Sequence, residues 1–256
     1  MKIGVIGLGV VGNTILTVMK FRYDDVRGYD KYKPSDSFES VCDTDVVFVA
    51  VPTRAREDGR LNCSIVRDVL DQLETNSYRG IVCIKSTAGV KFLQEVRKLY
   101  PHLRIVYMPE FLHEKSSLAD FVSPDYIVMS GKKEDLNNLR KVFSWVDDKK
   151  FFYVDDRTAE VTKLTINAFA ATKISFANEM KRICKEVGAD AEQVMEILRH
   201  DKRCAEEYTY PTLDPYGGKC LPKDTRELIR SVNVSILLKA VEETNEKIKK
   251  LKRARK

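Results

Sequence analysis

The chain has 256 residues, 43% of them hydrophobic and 32% charged, which is enough for two domains with their own cores. No window of 18 or more apolar residues occurs, so no membrane-spanning helix is predicted. The net charge of +6 sits at one end: residues 247–256 carry seven basic side chains, and without them 37 basic side chains face 38 acidic ones. A neutral body with a basic terminal helix predicts a solvated end and no nucleic-acid partner.

The six cysteines (Cys42, Cys63, Cys83, Cys184, Cys204 and Cys220) form no C-x-x-C pair and no framework spacing. They predict reduced thiols, a cytoplasmic setting and no metal site. The first residues run from an apolar strand straight into a glycine turn, with no cleavage signal.

Lys2–Ile6 reads as a buried parallel strand. It leads into Gly7-Leu8-Gly9-Val10-Val11-Gly12, which opens an amphipathic segment to about Phe21. A second strand, Val26–Tyr29, ends in Asp30, 18 residues past Gly12. Strand, glycine turn, helix, strand and acid at this spacing form the dinucleotide fingerprint. Gly7, Gly9, Val10, Val11 and Gly12 are expected to cradle the pyrophosphate at the helix N-terminus, and Asp30 to accept the ribose hydroxyls. The acid disfavours a 2′-phosphate and predicts NAD, while Lys31 and Lys33 pull towards NADP; Lys33 is placed at the cofactor. Three further apolar strands end in Val51-Pro52-Thr53, in Lys85-Ser86-Thr87, and in Met108 before Pro109-Glu110-Phe111-Leu112-His113-Glu114. In open α/β sheets ligands bind at such carboxyl ends. Strands at Tyr126–Ser130 and Phe151–Val154 bracket a helix around Glu134–Trp145.

From about Asp156 the pattern turns to helix alone. Thr158–Glu186 has no Gly or Pro and carries Val161, Leu164, Phe169, Ile174, Phe176, Met180 and Ile183 at helical spacing, with Lys163 and Asn167 on one face. A helix at Ala191–Arg199 and a loop from Asp201 to Gly218 follow. A single last helix, Thr225–Leu251, is predicted to stripe Ile229, Val232, Ile236, Ala240, Thr244, Ile248 and Leu251 and to form a homodimer core. The predicted architecture is α/β: a Rossmann-type doubly wound sheet over residues 1–155, then an all-helical domain with a long terminal helix over residues 156–256.

The most informative stretch is Tyr216-Gly217-Gly218-Lys219-Cys220-Leu221-Pro222-Lys223-Asp224. Pro222 suits a first helical turn, which puts Cys220 at a helix N-terminus where a thiolate is favoured. Asp224 lies one turn on, with Lys223 beside it. Taken alone, such a cysteine fits either a structural thiol at a helix start or a nucleophile with a general base nearby.

Together these segments resemble the UDP-glucose/GDP-mannose dehydrogenase family. The resemblance rests on Gly7–Gly12 with Asp30, Val51-Pro52-Thr53, Lys85-Ser86-Thr87, Pro109–Leu112 with Glu114, Lys163-x-x-x-Asn167, Ile174–Glu179 and the Gly-Gly-x-Cys-x-Pro-Lys-Asp around Cys220. It implies an NAD-dependent oxidation of a sugar-nucleotide C6 alcohol, UDP-glucose first among candidates, through a cysteine thiohemiacetal and thioester to the uronate. It further implies Cys220 as nucleophile, Lys163, Asn167 and Asp224 around the reacting oxygen, and Glu114 as the base for hydrolysis. Glu110 and Thr87 would orient substrate and water. Val51, Pro52, Thr53, Ser86, Thr87 and Glu114 would line the cofactor. Glu110, Phe111, Leu112, Lys163, Asn167, Tyr216, Gly217 and Gly218 would line the substrate. Family members carry a third, nucleotide-binding-like domain that is not expected within these residues, so a dimer mate or separate subunit is expected to complete the site; a β-hydroxyacid-type NAD dehydrogenase, which would need no thiol, and a non-catalytic NAD-binding or assembly protein stay open as alternatives.

Overall fold

The computed structural model describes residues 1–201, 204, 210, 212 and 214–254. Two compact units emerge, one from Met1–Arg54 and Leu61–Lys163, the other from Ala55–Arg60 and Leu164–Lys256.

The first unit holds strands β1 (Ile3–Ile6), β2 (Val26–Tyr29) and β3 (Val46–Val49), with helices α1 (Val10–Lys20) and α2 (Phe38–Cys42) between them. A two-residue pair, β4 (Arg54–Ala55) and β5 (Leu61–Asn62), is followed by α3 (Ser64–Thr75), β6 (Ile81–Ile84), α4 (Phe92–Leu99), β7 (Arg104–Tyr107) and α5 (Ser117–Val122). Then come β8 (Ile127–Met129), α6 (Lys133–Val142) and β9 (Phe151–Tyr153). The main sheet runs β2-β1-β3-β6-β7, all parallel. Isoleucine and valine fill its central strands because both faces are covered by helices, and β1, β3 and β6 are buried at every position. Ile15, Val18 and Met19 of α1 and Leu139 and Val142 of α6 share one core with Val5, Phe48 and Val106. The sequence reading did not place α3, although Val66, Val69, Leu70 and Leu73 are its buried, helically spaced stripe.

The register aligns Ile6, Val49, Ile84 and Tyr107 across four neighbouring strands. The four loops that follow therefore leave the sheet at one edge, beside the switch in strand order at β1 and β3.

Helix α7 (Asp156–Val187) supplies its first eight residues to this unit. They are tied down by charge. Arg97 grips Asp156 through two hydrogen bonds of 2.7 and 2.8 Å. The carboxylate of Glu160 accepts the backbone N–H groups of Lys91 and Leu93 at 2.8 and 2.7 Å, capping α4 where Lys91 adopts φ +80°. Burial raises the Glu160 carboxyl above its ordinary value.

The second unit comprises the remainder of α7, α8 (Ala191–His200), α9 (Leu221–Arg230) and α10 (Ile236–Arg253). Ala171, Tyr216 and Val241 form its small core with Ile174 and Leu221. The sequence-predicted fold class stands, with one correction: the long helix is α7, of 32 residues, and the last helix is not continuous. Ser231 ends α9 by donating its hydroxyl back to the Glu227 carbonyl at 2.6 Å, and α10 begins only at Ile236. Val232 and Ile236 of the predicted stripe are exposed, while α10 buries Val241, Asn245 and Ile248. Part of the loop predicted from Asp201 to Gly218 lies outside the described residues. Among those described, no helix is long and apolar enough to cross a membrane.

Candidate active site

The glycine loop between β1 and α1 is organised around Leu8. Its N–H donates to Asp30 Oδ2 at 2.8 Å, and its carbonyl accepts from Asn13 Nδ2 at 2.8 Å and from Lys33 Nζ. Gly7 has φ +90°, which a side chain disfavours. Gly12 lies so close to the loop that a Cβ there would sit 1.8 Å from the Gly7 carbonyl oxygen. Around Gly9 the opposite holds, since a Cβ would meet no atom within 4 Å. Gly9 caps α1 without a side-chain hydrogen bond, so the first N–H groups of the helix stay available to an anion, beside exposed Val10 and half-buried Val11. Packed glycines beneath, open space above and a carboxylate at the end of β2 fit a dinucleotide. The loop thus brings together Gly7, Gly9, Val10, Val11, Gly12, Asp30 and Lys33; Asn13 is a member that the sequence reading missed.

The next two strand ends hold Val51 and Thr53, both buried, exposed Pro52 and half-buried Thr87. Ser86 donates its hydroxyl to the Val51 carbonyl at 2.7 Å and so pins the exit of β3 to that of β6.

After β7 the chain carries Glu110, whose Oε1 accepts the N–H groups of Phe111 and Leu112 at 2.8 and 3.1 Å. Its Oε2 lies 2.9 Å from the Lys85 ammonium, whose side chain is 4% exposed. The half-buried Phe111 ring stacks at a tilt on Tyr126, centroids 5.0 Å apart, and the Lys163 ammonium stands 5.3 Å from its centre. Glu110, Phe111, Leu112 and Lys163 are therefore one neighbourhood with Lys85, to which the sequence reading gave no role. The signal for Lys85 was there: a lone cation ending the apolar strand Ile81-Val82-Cys83-Ile84 needs a buried anion. Glu114 is exposed, in the turn before α5.

In the second unit, Cys220 is the N-cap of α9 with Pro222 in the first turn, as the sequence predicts. Among the described residues it is the one exposed cysteine. By contrast, burial pushes the thiols of Cys83 and Cys42 up to about 12 and about 11. Asp224, fully buried one turn along, accepts a hydrogen bond from Asn167 Nδ2 and lies 2.5 Å from the Lys223 ammonium. Asn167 and Asp224, 57 residues apart in sequence, thus meet. The approach to Cys220 is held by two buried amides: Asn245 Nδ2 donates to the Tyr216 carbonyl at 3.1 Å, and Asn178 Nδ2 to that of Asp214 at 2.7 Å. Tyr216 is buried, and Gly217 and Gly218 are exposed, Gly218 at φ +74°. Among the described residues no cluster of His, Cys, Asp and Glu could hold a metal ion.

Residues 23–146 match the model of the UDP-glucose/GDP-mannose dehydrogenase family, NAD binding domain, and residues 157–247 that of the same family's central domain. A UDP-glucose 6-dehydrogenase of Pseudomonas aeruginosa is 34% identical over 231 residues, covering 83% of this chain and 51% of the relative. The chain spans about half the length of the curated relatives it matches. Among solved structures, a UDP-glucose dehydrogenase from Pyrobaculum islandicum superposes with a TM-score of 0.86 at 29% identity, over 96% of this chain and 68% of the other. A 3-hydroxyisobutyrate dehydrogenase of Mycobacterium tuberculosis shares the fold, with a TM-score of 0.74 at 17% identity over 96% of this chain and 92% of the other.

Proposed function

Because the chain belongs to the UDP-glucose/GDP-mannose dehydrogenase family, with NAD as cofactor, we propose that it oxidises the C6 alcohol of a sugar nucleotide to the uronate through a thioester on Cys220. UDP-glucose is the first candidate substrate, on the names of the relatives. The observation that carries this reading is the exposed Cys220 at the start of α9 with Asp224 buried one turn on, held by Asn167 and Lys223. A one-step alcohol oxidation needs no thiol.

Bound NAD supplies the hydride acceptor for each of the two oxidations. Gly7, Gly9, Val10, Val11, Gly12, Asp30 and Lys33 hold it, with Val51–Thr53, Ser86, Thr87 and Glu114 along the sheet edge. Cys220 Sγ forms a bond to the C6 aldehyde carbon, and the Lys163 ammonium and Asn167 amide hold the oxygen on which negative charge develops, while Asp224 orients the Asn167 amide by accepting one of its N–H bonds. In the last step water adds to the thioester carbonyl, Glu114 takes its proton, the C–S bond breaks and Cys220 leaves as thiolate. Glu110 and Thr87 orient substrate and water. Phe111, Leu112 and Tyr216–Gly218 line the sugar nucleotide. The setting is the cytoplasm, where cysteines stay reduced thiols. The test is turnover: NADH forms with at least one member of a panel of sugar nucleotides. NAD binding by calorimetry with no turnover on any of them overturns the reading.

The same reading includes a homodimer through α7. Ile166, Phe169, Phe176, Ile183 and Val187 recur at spacings of three, seven, seven and four residues and are 38–70% exposed. That is a seam for a second helix. The double variant Phe169→Glu with Phe176→Glu is expected to run as a monomer in analytical ultracentrifugation while the unaltered chain runs as a dimer. A monomeric unaltered chain removes this part of the reading.

A further inference from the structure

Glu160 is a buried acid to which the family resemblance assigns nothing. It is 1% exposed, and each of its carboxylate oxygens accepts a backbone N–H at the start of α4, Oε2 from Lys91 at 2.8 Å and Oε1 from Leu93 at 2.7 Å. Lys91 begins α4 at φ +80° and gives it no side-chain cap, so these donors are met from α7 instead. Further along α4, Arg97 grips Asp156, which lies one turn before Glu160 on α7 and also accepts the Ser130 hydroxyl at 2.7 Å. Two contacts a turn apart fix both the place of α7 along α4 and its rotation about its own axis. One contact would leave it free to pivot. Asp156, Glu160 and Lys163 follow one another at spacings of four and three and so share a helix face. Lys163 is 9% exposed, with its ammonium 5.3 Å from the centre of the Phe111 ring. The α4 N-terminus that Glu160 caps also ends the loop that opens with Ser86 and Thr87.

We infer that Glu160 is a positioning residue for Lys163: by capping α4 it sets the turn of α7 from which the Lys163 ammonium reaches the reacting oxygen, at a fixed offset from the loop of Ser86 and Thr87. This rests on the role given to Lys163 above and adds a residue to it. Glu160 forms and breaks no bond.

The test has two arms. In the first, an acetylating N-hydroxysuccinimide ester is added to the unaltered chain and to Glu160→Gln, well below the melting temperature of either. Peptide masses then read Lys163 and, as an internal standard, Lys85, which is 5% exposed and lies outside the clamp. A glutamine offers one acceptor oxygen to two N–H donors and turns its own N–H groups on the other. Lys163 is expected to acetylate about 10-fold faster or more in Glu160→Gln, the factor by which loss of a hydrogen bond to a charged group favours local opening, with Lys85 unchanged. In the second arm, turnover with NAD and the sugar nucleotide that the unaltered chain oxidises, UDP-glucose first, is measured in Glu160→Gln, Lys163→Met and the double variant. Turnover in Glu160→Gln falls about 10²-fold, the loss that a small misplacement of a reacting group brings. The double variant is no slower than Lys163→Met, since no ammonium is left to place. A merely structural glutamate would expose Lys163 and Lys85 together, or would slow Lys163→Met by the same factor as the unaltered chain. Either outcome overturns the assignment, as does a Glu160→Gln chain in which Lys163 stays protected or turnover stays full. Should Glu160→Gln fail to fold, Glu160→Asp takes its place: it keeps both acceptor oxygens but holds them one methylene short of α4, and an unchanged acetylation rate at Lys163 overturns the assignment. An unaltered chain that oxidises no sugar nucleotide removes the catalytic reading, while the acetylation arm still decides on its own whether Glu160 holds Lys163.

Discussion

Replacing Gly12 by alanine is expected to lower the melting temperature by roughly 3–10 °C and to weaken NAD binding by about 10²-fold or more. A Cβ at this position would lie 1.8 Å from the Gly7 carbonyl oxygen and 2.9 Å from its carbon, and both are backbone atoms with no rotamer to escape into. The loop or the start of α1 has to move. Gly7 cannot absorb that movement freely, since its φ of +90° already places a carbonyl close behind it, with Ala50 O 2.8 Å from where its own Cβ would be. Overpacking of this kind costs about 1–3 kcal/mol. The N–H groups meant for the pyrophosphate shift with the helix. Gly9→Ala separates fold from function: its Cβ would touch nothing within 4 Å, so the melting temperature holds while NAD binding weakens, because the added methyl takes space meant for the cofactor. Thermal melts and calorimetric titration with NAD on the two variants check both statements. A Gly12→Ala chain that binds NAD within a few-fold of the unaltered chain would show that the loop does not seat the cofactor.

Cys220→Ala is expected to reduce uronate formation by roughly 10³- to 10⁶-fold, the range in which removal of a covalent nucleophile falls. NAD binding should be unchanged, because the cofactor loop belongs to the other unit. The other five thiols cannot substitute for it. Cys63, Cys83 and Cys184 are buried, and Cys42 and Cys204 are only partly exposed. Burial also holds the Cys83 and Cys42 thiols far from ionisation at neutral pH. Steady-state assay of uronate and intact mass of the variant after incubation with substrate check this. Normal uronate formation by Cys220→Ala would contradict the nucleophile assignment.

Much of this molecule was legible because its chemistry is local. Gly7, Gly9, Gly12 and Asp30 lie within one strand-helix-strand unit whose geometry follows from their spacing, and Pro222 marks the start of α9 two residues after Cys220. Contacts between distant parts of the chain were not legible in the same way. Lys85 pairs with Glu110 across 25 residues, and Asn167 reaches Asp224 across 57, because parallel register and helix packing bring them together. The break between α9 and α10 escaped notice because apolar residues continue at helical spacing through Val232 and Ile236, while Ser231, with its hydroxyl bonded back to Glu227, ends the helix. The sides of α7 also needed packing to resolve: its buried face is built from Leu164, Ala168, Ala171, Ser175 and Asn178, and Phe169 and Phe176 of its apolar run are exposed.

The measurement that tests the account most directly is the number of NADH molecules formed per molecule of sugar nucleotide consumed, with Cys220→Ala as control. Two NADH per sugar, lost together with uronate formation in the control, is the predicted result and requires oxidation through a covalent intermediate on the cysteine. One NADH per sugar, unchanged in the control, would contradict it and make the chain a two-electron alcohol dehydrogenase.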